Sequence, residues 1–299
     1  MGTDPMSTPS MTIGALIRAM RPRQWIKNLL VLAAPLAAGS ILEADVIVPT
    51  IIALVSFTLA SAATYLINDV RDIESDRAHT TKSTRPIAAG DVSKTTAIAT
   101  AIVLLIVSLA LAALTGIGLV IVIAAYLVAT LGYSLGLKHE PVIELGLLAA
   151  GFLLRAIAGG VAADLEISPW FLLVTGFGSL ALAAGKRFAE LSDDPDQAHQ
   201  RRRSLAGYTP SYLRFVWTMS VAVTITTYAL WVVEVGQPGS TLPWALLSII
   251  PFVLAVLRYG VDLDAGRTQA PEDAVLGDPI LLILGLIWVG VFGAGALGL

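Results

Sequence analysis

Between Asn68 and Arg77 the chain reads NDVRDIESDR, six charged residues in ten. Asn68, Asp72 and Asp76 stand four apart, which puts them on one face of a helix with Asp69 beside them. Like charges at that spacing repel and weaken a helix unless a cation offsets them. Hard oxygen donors suit Mg2+, which binds through one or two carboxylates and completes its shell with water and substrate phosphates. Asn68, Asp72 and Asp76 are therefore the candidate metal ligands, and Asp69, Asp72 and Asp76 the candidate catalytic carboxylates. A solvated helix end paired to Arg71 and Arg77 is the plainer reading. The apolar run TIIALVSFTLASAATYLI immediately before it favours the metal, because the acids then collect at the edge of a membrane.

A second cluster, GKRFAELSDDPD, places Glu190 and Asp194 four apart, after Lys186 and Arg187. Two carboxylate faces could share one metal–diphosphate. A ligand of that kind needs cations, and Arg21, Arg23, Lys27, Lys82, Arg85, Lys138 and Lys186 all fall at span boundaries; any one of them would equally suit lipid headgroups. Arg155 lies inside an apolar run, where an arginine usually faces the bundle interior with a partner. That partner is an interior carboxylate or a bound phosphate.

The elements that must carry these residues are membrane helices. The chain has 299 residues, 56% of them hydrophobic and 14% charged, with a mean hydropathy of +0.79; soluble domains carry about a quarter charged residues. Runs of about 20 apolar residues cross a bilayer as helices, and they fall near 24–40, 46–67, 94–114, 117–137, 142–163, 168–188, 210–233, 242–260 and 276–298. The predicted fold is all-α, about nine transmembrane helices in a single domain over 11–299. The polar opening MGTDPMSTPS reads as an expression leader or disordered tail over 1–10. IGALIRAMRPRQWIKNLL reads as a cationic interfacial helix that runs into the first span. The chain lacks cysteine, which excludes disulfides and thiolate metal sites, and its three scattered histidines argue against a histidine-ligated metal. Alternating the spans puts every Lys and Arg except Arg155 on one side, cytoplasmic by the positive-inside rule. Ser93, and Thr209 followed by Pro210, read as helix caps in a weak internal echo. A transporter would place its charges near the midplane; these collect at one edge.

NDVRDIESDR matches the NDxxDxxxD signature of the UbiA superfamily of intramembrane prenyltransferases, and YSLGLK at Tyr133–Lys138 resembles that superfamily's YSxxLK signature. The resemblance covers essentially the whole chain and implies a UbiA-like bundle with cytoplasmic loops capping the active site, Mg2+ as cofactor, and an inner (plasma) membrane location. RPRQWIKNLLVLAAPLAAG, YSLGLKHEPVIELGLLAAGFLLRAIAGG and GKRFAEL are similar to the phosphoribosyl-transferring branch. That likeness implies transfer of 5-phosphoribosyl from phosphoribosyl diphosphate to decaprenyl (polyprenyl) phosphate with release of diphosphate, feeding cell-wall arabinan synthesis. Its partners would be those two substrates and the membrane, with no nucleic acid; a homo-oligomer is compatible. Under this resemblance Arg21, Arg23 and Lys27 orient lipid or ribose phosphate. Lys138 and Lys186 clamp diphosphate, and Tyr133 enters as part of the YSxxLK match. Where prenyltransferases carry a run of spaced aspartates, this chain begins with Glu190, which points away from an allylic diphosphate donor. Transfer of a prenyl group to an aromatic acceptor is the alternative.

Overall fold

A computed structural model describes residues 13–193, 205, 207–235, 242–266, 274 and 277–297. Lipid offers the backbone no hydrogen bonds, so apolar runs of this kind must satisfy their own N–H and C=O groups as helices or a closed barrel. All regular elements among the described residues are helical. In chain order they are α1 (Ile13–Ala19), a 3-10 helix (Pro22–Leu32), α2 (Ala33–Ala37), α3 (Ala44–Arg71), α4 (Ile73–Arg77), α5 (Pro86–Ala89), α6 (Lys94–Thr115), α7 (Ile117–Leu135), α8 (Ile143–Ala162), α9 (Pro169–Asp193), α10 (Pro210–Val235), α11 (Trp244–Leu247), α12 (Ile249–Asp264) and α13 (Pro279–Ala296), with short 3-10 turns at Lys82–Thr84 and Leu137–His139.

Eight of these segments are long and apolar enough to cross a membrane, α11 and α12 counting as one. The stretch expected as a continuous first span at 24–40 is different. It is an 11-residue 3-10 helix followed by the five residues of α2. At about 2.0 Å rise per 3-10 residue and 1.5 Å per α residue it reaches roughly 30 Å, the thickness of the hydrocarbon core. That is enough for a ninth crossing, tightened along most of its length. It packs closely on α8: a Cβ at Gly159 would lie 2.0 Å from the Val31 carbonyl oxygen, so the two backbones touch. The predicted single amphipathic helix ahead of it is also interrupted. Arg21 takes a left-handed conformation (φ 56°, ψ 65°) before Pro22, ending α1 and turning the chain.

Local chemistry sets the other ends as expected. The Ser93 hydroxyl accepts the Thr96 N–H at 3.0 Å and Thr209 accepts the Tyr212 N–H at 3.1 Å, capping α6 and α10. Small residues let helices approach closely: Ala53, Ala60, Ala112 and Ala158 are buried beside Phe57, Ile123 and Tyr126. Ile102, Val103, Ile106, Ile283 and Leu286 remain exposed, an arrangement costly in water and ordinary in lipid. Between α8, α9, α10, α12 and α13 lies an apolar cavity of about 580 Å³ walled by Phe152, Phe171, Tyr228, Phe252 and Trp288.

Candidate active site

The first acidic cluster forms where α3 meets α4. The helix breaks at Asp72 (φ −92°, ψ 12°), yet the Asp72 N–H still bonds the Asn68 carbonyl at 2.9 Å and the Asp76 N–H the Asp72 carbonyl at 2.8 Å. The four-residue spacing therefore survives the break. Asp69 and Asp76 are 3% and 2% exposed, and Asp72 is half-buried. Carboxylates so placed need partners. Arg21, released from α1 by the left-handed turn, donates to Asp69. Arg85 bridges Asp69 at 3.2 Å and Asp76 at 2.7 Å. Lys138 Nζ lies 3.9 Å from Asp72 Oδ1. Three carboxylates thus face three cations, and the repulsion expected from the sequence is offset by side chains already present.

Asp72 is the least committed acid of the three, and it neighbours Asn68, whose Oδ1 is buried with no hydrogen-bond partner. A buried acceptor without a donor costs about 1–3 kcal/mol. A carboxylate beside an unpartnered amide oxygen is a hard-oxygen set of the kind Mg2+ takes, with substrate supplying the rest. Among the described residues no three His, Asp or Glu side chains converge as a metal group by themselves.

The second cluster is built around a residue that sequence reading did not weight. Arg187 is 1% exposed and Glu144 fully buried. Arg187 Nε donates to both Glu144 oxygens at 2.8 and 3.0 Å, Nη1 to Glu190 at 2.6 Å, and Nη2 to the Tyr133 hydroxyl at 3.1 Å. Glu144, two residues into α8, gave one usable signal: a lone acid opening an apolar helix must be paired. Lys186 is half-buried on the same turn of α9, and Asp194 lies outside the described residues.

The end of α7 touches both clusters. Tyr133 receives Arg187, the Ser134 carbonyl accepts from Arg71, and Lys138 faces Asp72. The tyrosine and lysine of YSLGLK thus reach different acidic groups. Arg23 and Lys82 are exposed, and Lys27 is half-buried on the 3-10 helix that carries Asn28.

Of the two partners expected for Arg155, an interior carboxylate or a bound phosphate, no carboxylate of the described residues is among its hydrogen-bond acceptors. Its Nε donates to Asn28 Oδ1 at 2.9 Å, Nη1 to the Gly151 carbonyl at 2.6 Å and Nη2 to the Tyr126 hydroxyl at 2.9 Å. It also lies over the Tyr126 ring, 4.7 Å from its centroid. Asn28 donates onward to Thr58 and Ser61, each at 3.2 Å. Neutral dipoles and a π face hold this guanidinium because the 3-10 helix, α3 and α7 offer no acid at that depth.

The sequence profile of the UbiA prenyltransferase family matches residues 29–276. The decaprenyl-phosphate phosphoribosyltransferase of Mycolicibacterium smegmatis (strain ATCC 700084 / mc(2)155) is 48% identical over 297 residues, 96% of this chain and 93% of that one. The protein of the same name from Corynebacterium glutamicum is 46% identical, covering 94% of this chain and 86% of its own. In fold, the chain resembles a UbiA homologue from Archaeoglobus fulgidus bound to GPP and Mg2+, with a TM-score of 0.72 at 19% identity over 95% of this chain and all of that one. It also resembles a digeranylgeranylglyceryl phosphate synthase, with a TM-score of 0.70 at 20% identity over 96% and 99% of the two chains.

Proposed function

Because the chain belongs to the UbiA prenyltransferase family, we propose that it transfers a 5-phosphoribosyl group from phosphoribosyl diphosphate to decaprenyl phosphate and releases diphosphate. The 46–48% identity to decaprenyl-phosphate phosphoribosyltransferases supports this reading, as does the way Tyr133, Ser134 and Lys138 tie two charged clusters at one end of an apolar bundle. By charge asymmetry that end faces the cytoplasm of the plasma membrane, where a water-soluble donor meets a membrane-dissolved acceptor. The product would feed arabinan assembly in the cell wall.

In this reaction an oxygen of the lipid phosphate attacks the anomeric carbon as the bond to diphosphate breaks, and the bonding pair leaves with the diphosphate. Lipid phosphate is ionised at neutral pH, so no strong base is needed. Asn68, Asp72 and Asp76 would hold Mg2+, which when bound offsets the charge of the diphosphate. Lys138 and Lys186 bind the leaving diphosphate, and positioned charges of this kind are often the largest catalytic term. Arg21, Arg23 and Lys27 orient the other phosphates, with the exposed Lys82 at the rim. Arg21 and Arg85, which hold Asp69 and Asp76, exchange carboxylate for phosphate when substrate arrives. The polyprenyl tail enters the apolar cavity sideways from the bilayer.

The test is incubation of membranes carrying the chain with labelled phosphoribosyl diphosphate and polyprenyl phosphate over a Mg2+ titration. The expected product is a labelled lipid, with the rate cut about 10²–10³-fold by Asp72→Ala. No labelled lipid, together with prenylation of an aromatic acceptor, would return the alternative donor class. Parental rate and metal dependence in Asp72→Ala would remove the first cluster from catalysis.

A further inference from the structure

Val142 carries a conformation its side chain does not favour. Its φ is 67° and its ψ −49°, and the Ile143 N–H donates to the Pro141 carbonyl at 2.8 Å. Together these make a γ-turn of the rare, strained hand, at a β-branched residue for which positive φ is an outlier. Its side chain is 58% exposed, so no burial of Val142 compensates. Conformations of this kind persist only where the surroundings over-determine them.

Here the surroundings are Gly207 and Tyr208, which return to the turn from the far side of the second acidic cluster. The Val142 N–H donates to the Tyr208 hydroxyl at 2.6 Å. A Cβ at Gly207 would sit 2.4 Å from Pro141 Cγ, so only glycine lets the chain press this close. Tyr208 is itself 4% exposed, packed among Leu145, Phe188, Leu205 and Leu213. Burial pushes its phenol up to about 12, so the hydroxyl keeps its proton at any pH at which the chain works.

Lys138 stands just upstream of the turn, in a segment with little slack. Gly136 takes φ 149°. The His139 N–H then bonds the Gly136 carbonyl at 2.9 Å and the Glu140 N–H the Leu137 carbonyl at 3.2 Å. Downstream, the Glu144 N–H bonds the Glu140 carbonyl at 3.1 Å, and the Glu144 carboxylate is held by Arg187. We propose that Tyr208 is a positioning residue: its hydroxyl locks the strained Val142 turn and so fixes Lys138 opposite Asp72 to receive diphosphate. This deepens the function proposed above and rests on it for the identity of the donor.

Strain supplies a test that a merely structural role would not pass. In the full chain in nanodiscs, binding of inorganic diphosphate with Mg2+ and amide hydrogen exchange over 138–144 are measured for the parent, Tyr208→Phe, Val142→Gly and the double variant. Phenylalanine keeps the packing and removes only the hydroxyl. Glycine accepts positive φ without a Cβ penalty, so the turn no longer needs its clamp. Tyr208→Phe is expected to weaken diphosphate about tenfold and speed exchange at the turn, whereas adding it to Val142→Gly should cost less than about twofold. Parental binding in Tyr208→Phe, or an equal loss in both backgrounds, overturns the proposal. If Tyr208→Phe does not fold, Gly207→Ala perturbs the same contact with Tyr208 intact; it should weaken diphosphate, and parental affinity there also overturns the proposal. A parent that shows this pattern but labels no lipid would sink the phosphoribosyl reading and leave the positioning role standing.

Discussion

Arg187 and Glu144 are the residues on which the charged end depends most. Both are buried, and removing one partner of such a pair strands the other in a low dielectric, at a cost of about 3–5 kcal/mol. Arg187→Met should therefore lower the unfolding midpoint in detergent sharply. Arg187→Met with Glu144→Leu should recover most of that loss, since two apolar side chains of similar size restore packing without desolvated charge. Transfer activity should not return with it, because Glu190 and Tyr133 also rely on this guanidinium. Stability and rate, measured on the same preparations, separate the two roles. Asp72 contrasts with them: half-buried and 3.9 Å from Lys138, it is held loosely enough to be available to a ligand.

The elements owe their ends to short-range chemistry, and α13 shows how that chemistry responds to pH. Asp278 Oδ1 caps this helix by accepting the Ile280 N–H at 2.8 Å. The hydrogen bond from Arg258 holds the Asp278 carboxyl down at about 2, partial burial opposes it, and the Ile280 N–H assists. An acid with a depressed folded pKa contributes stability that is present above its unfolded value, about 3.9, and is lost as pH falls through the folded one. Asp278→Ala should thus be less stable than the parent by a constant margin above about pH 5, and the margin should close progressively between about pH 5 and pH 1. An acid titration followed by helical circular dichroism reads this directly; a margin that persists undiminished to about pH 1 would mean the cap acts without its charge. The 3-10 helix of Pro22–Leu32 differs: it starts without a side-chain cap and packs backbone to backbone on α8 at Gly159.

For the whole molecule, the decisive arrangement is an apolar cavity within the helix bundle and a charged end shared by α3, α7 and α9. Lipid and soluble substrate would then be recognised by separate parts of one bundle. Gly178 lines the cavity, and its nearest neighbour for an added Cβ is Thr224 at 3.7 Å, so a side chain can start there without a backbone clash and Gly178→Phe would fill part of the cavity proposed for the tail. The variant should raise KM for polyprenyl phosphate about tenfold or more, equivalent to about 1.4 kcal/mol, with KM for the donor unchanged. Equal effects on both would place the tail elsewhere.

Much of this was legible in residue order. Apolar runs near 20 residues dictate membrane helices, because lipid leaves the backbone no other partner. Caps at Ser93 and Thr209 and the four-residue spacing of Asn68, Asp72 and Asp76 are local properties, readable one turn at a time. The partners of those residues were not readable in this way. Arg21 reaches Asp69 across 48 positions, Arg187 reaches Glu144 across 43, and Arg155 reaches Asn28 across 127. Sequence spacing says nothing about which helices become neighbours; that is settled by the packing of small-residue faces and by the need to pair every charge taken out of water. Tertiary structure likewise decided that the stretch ahead of α3 is mostly 3-10, that Arg155 is held by dipoles instead of an acid, and that a strained valine turn stands between Lys138 and Glu144.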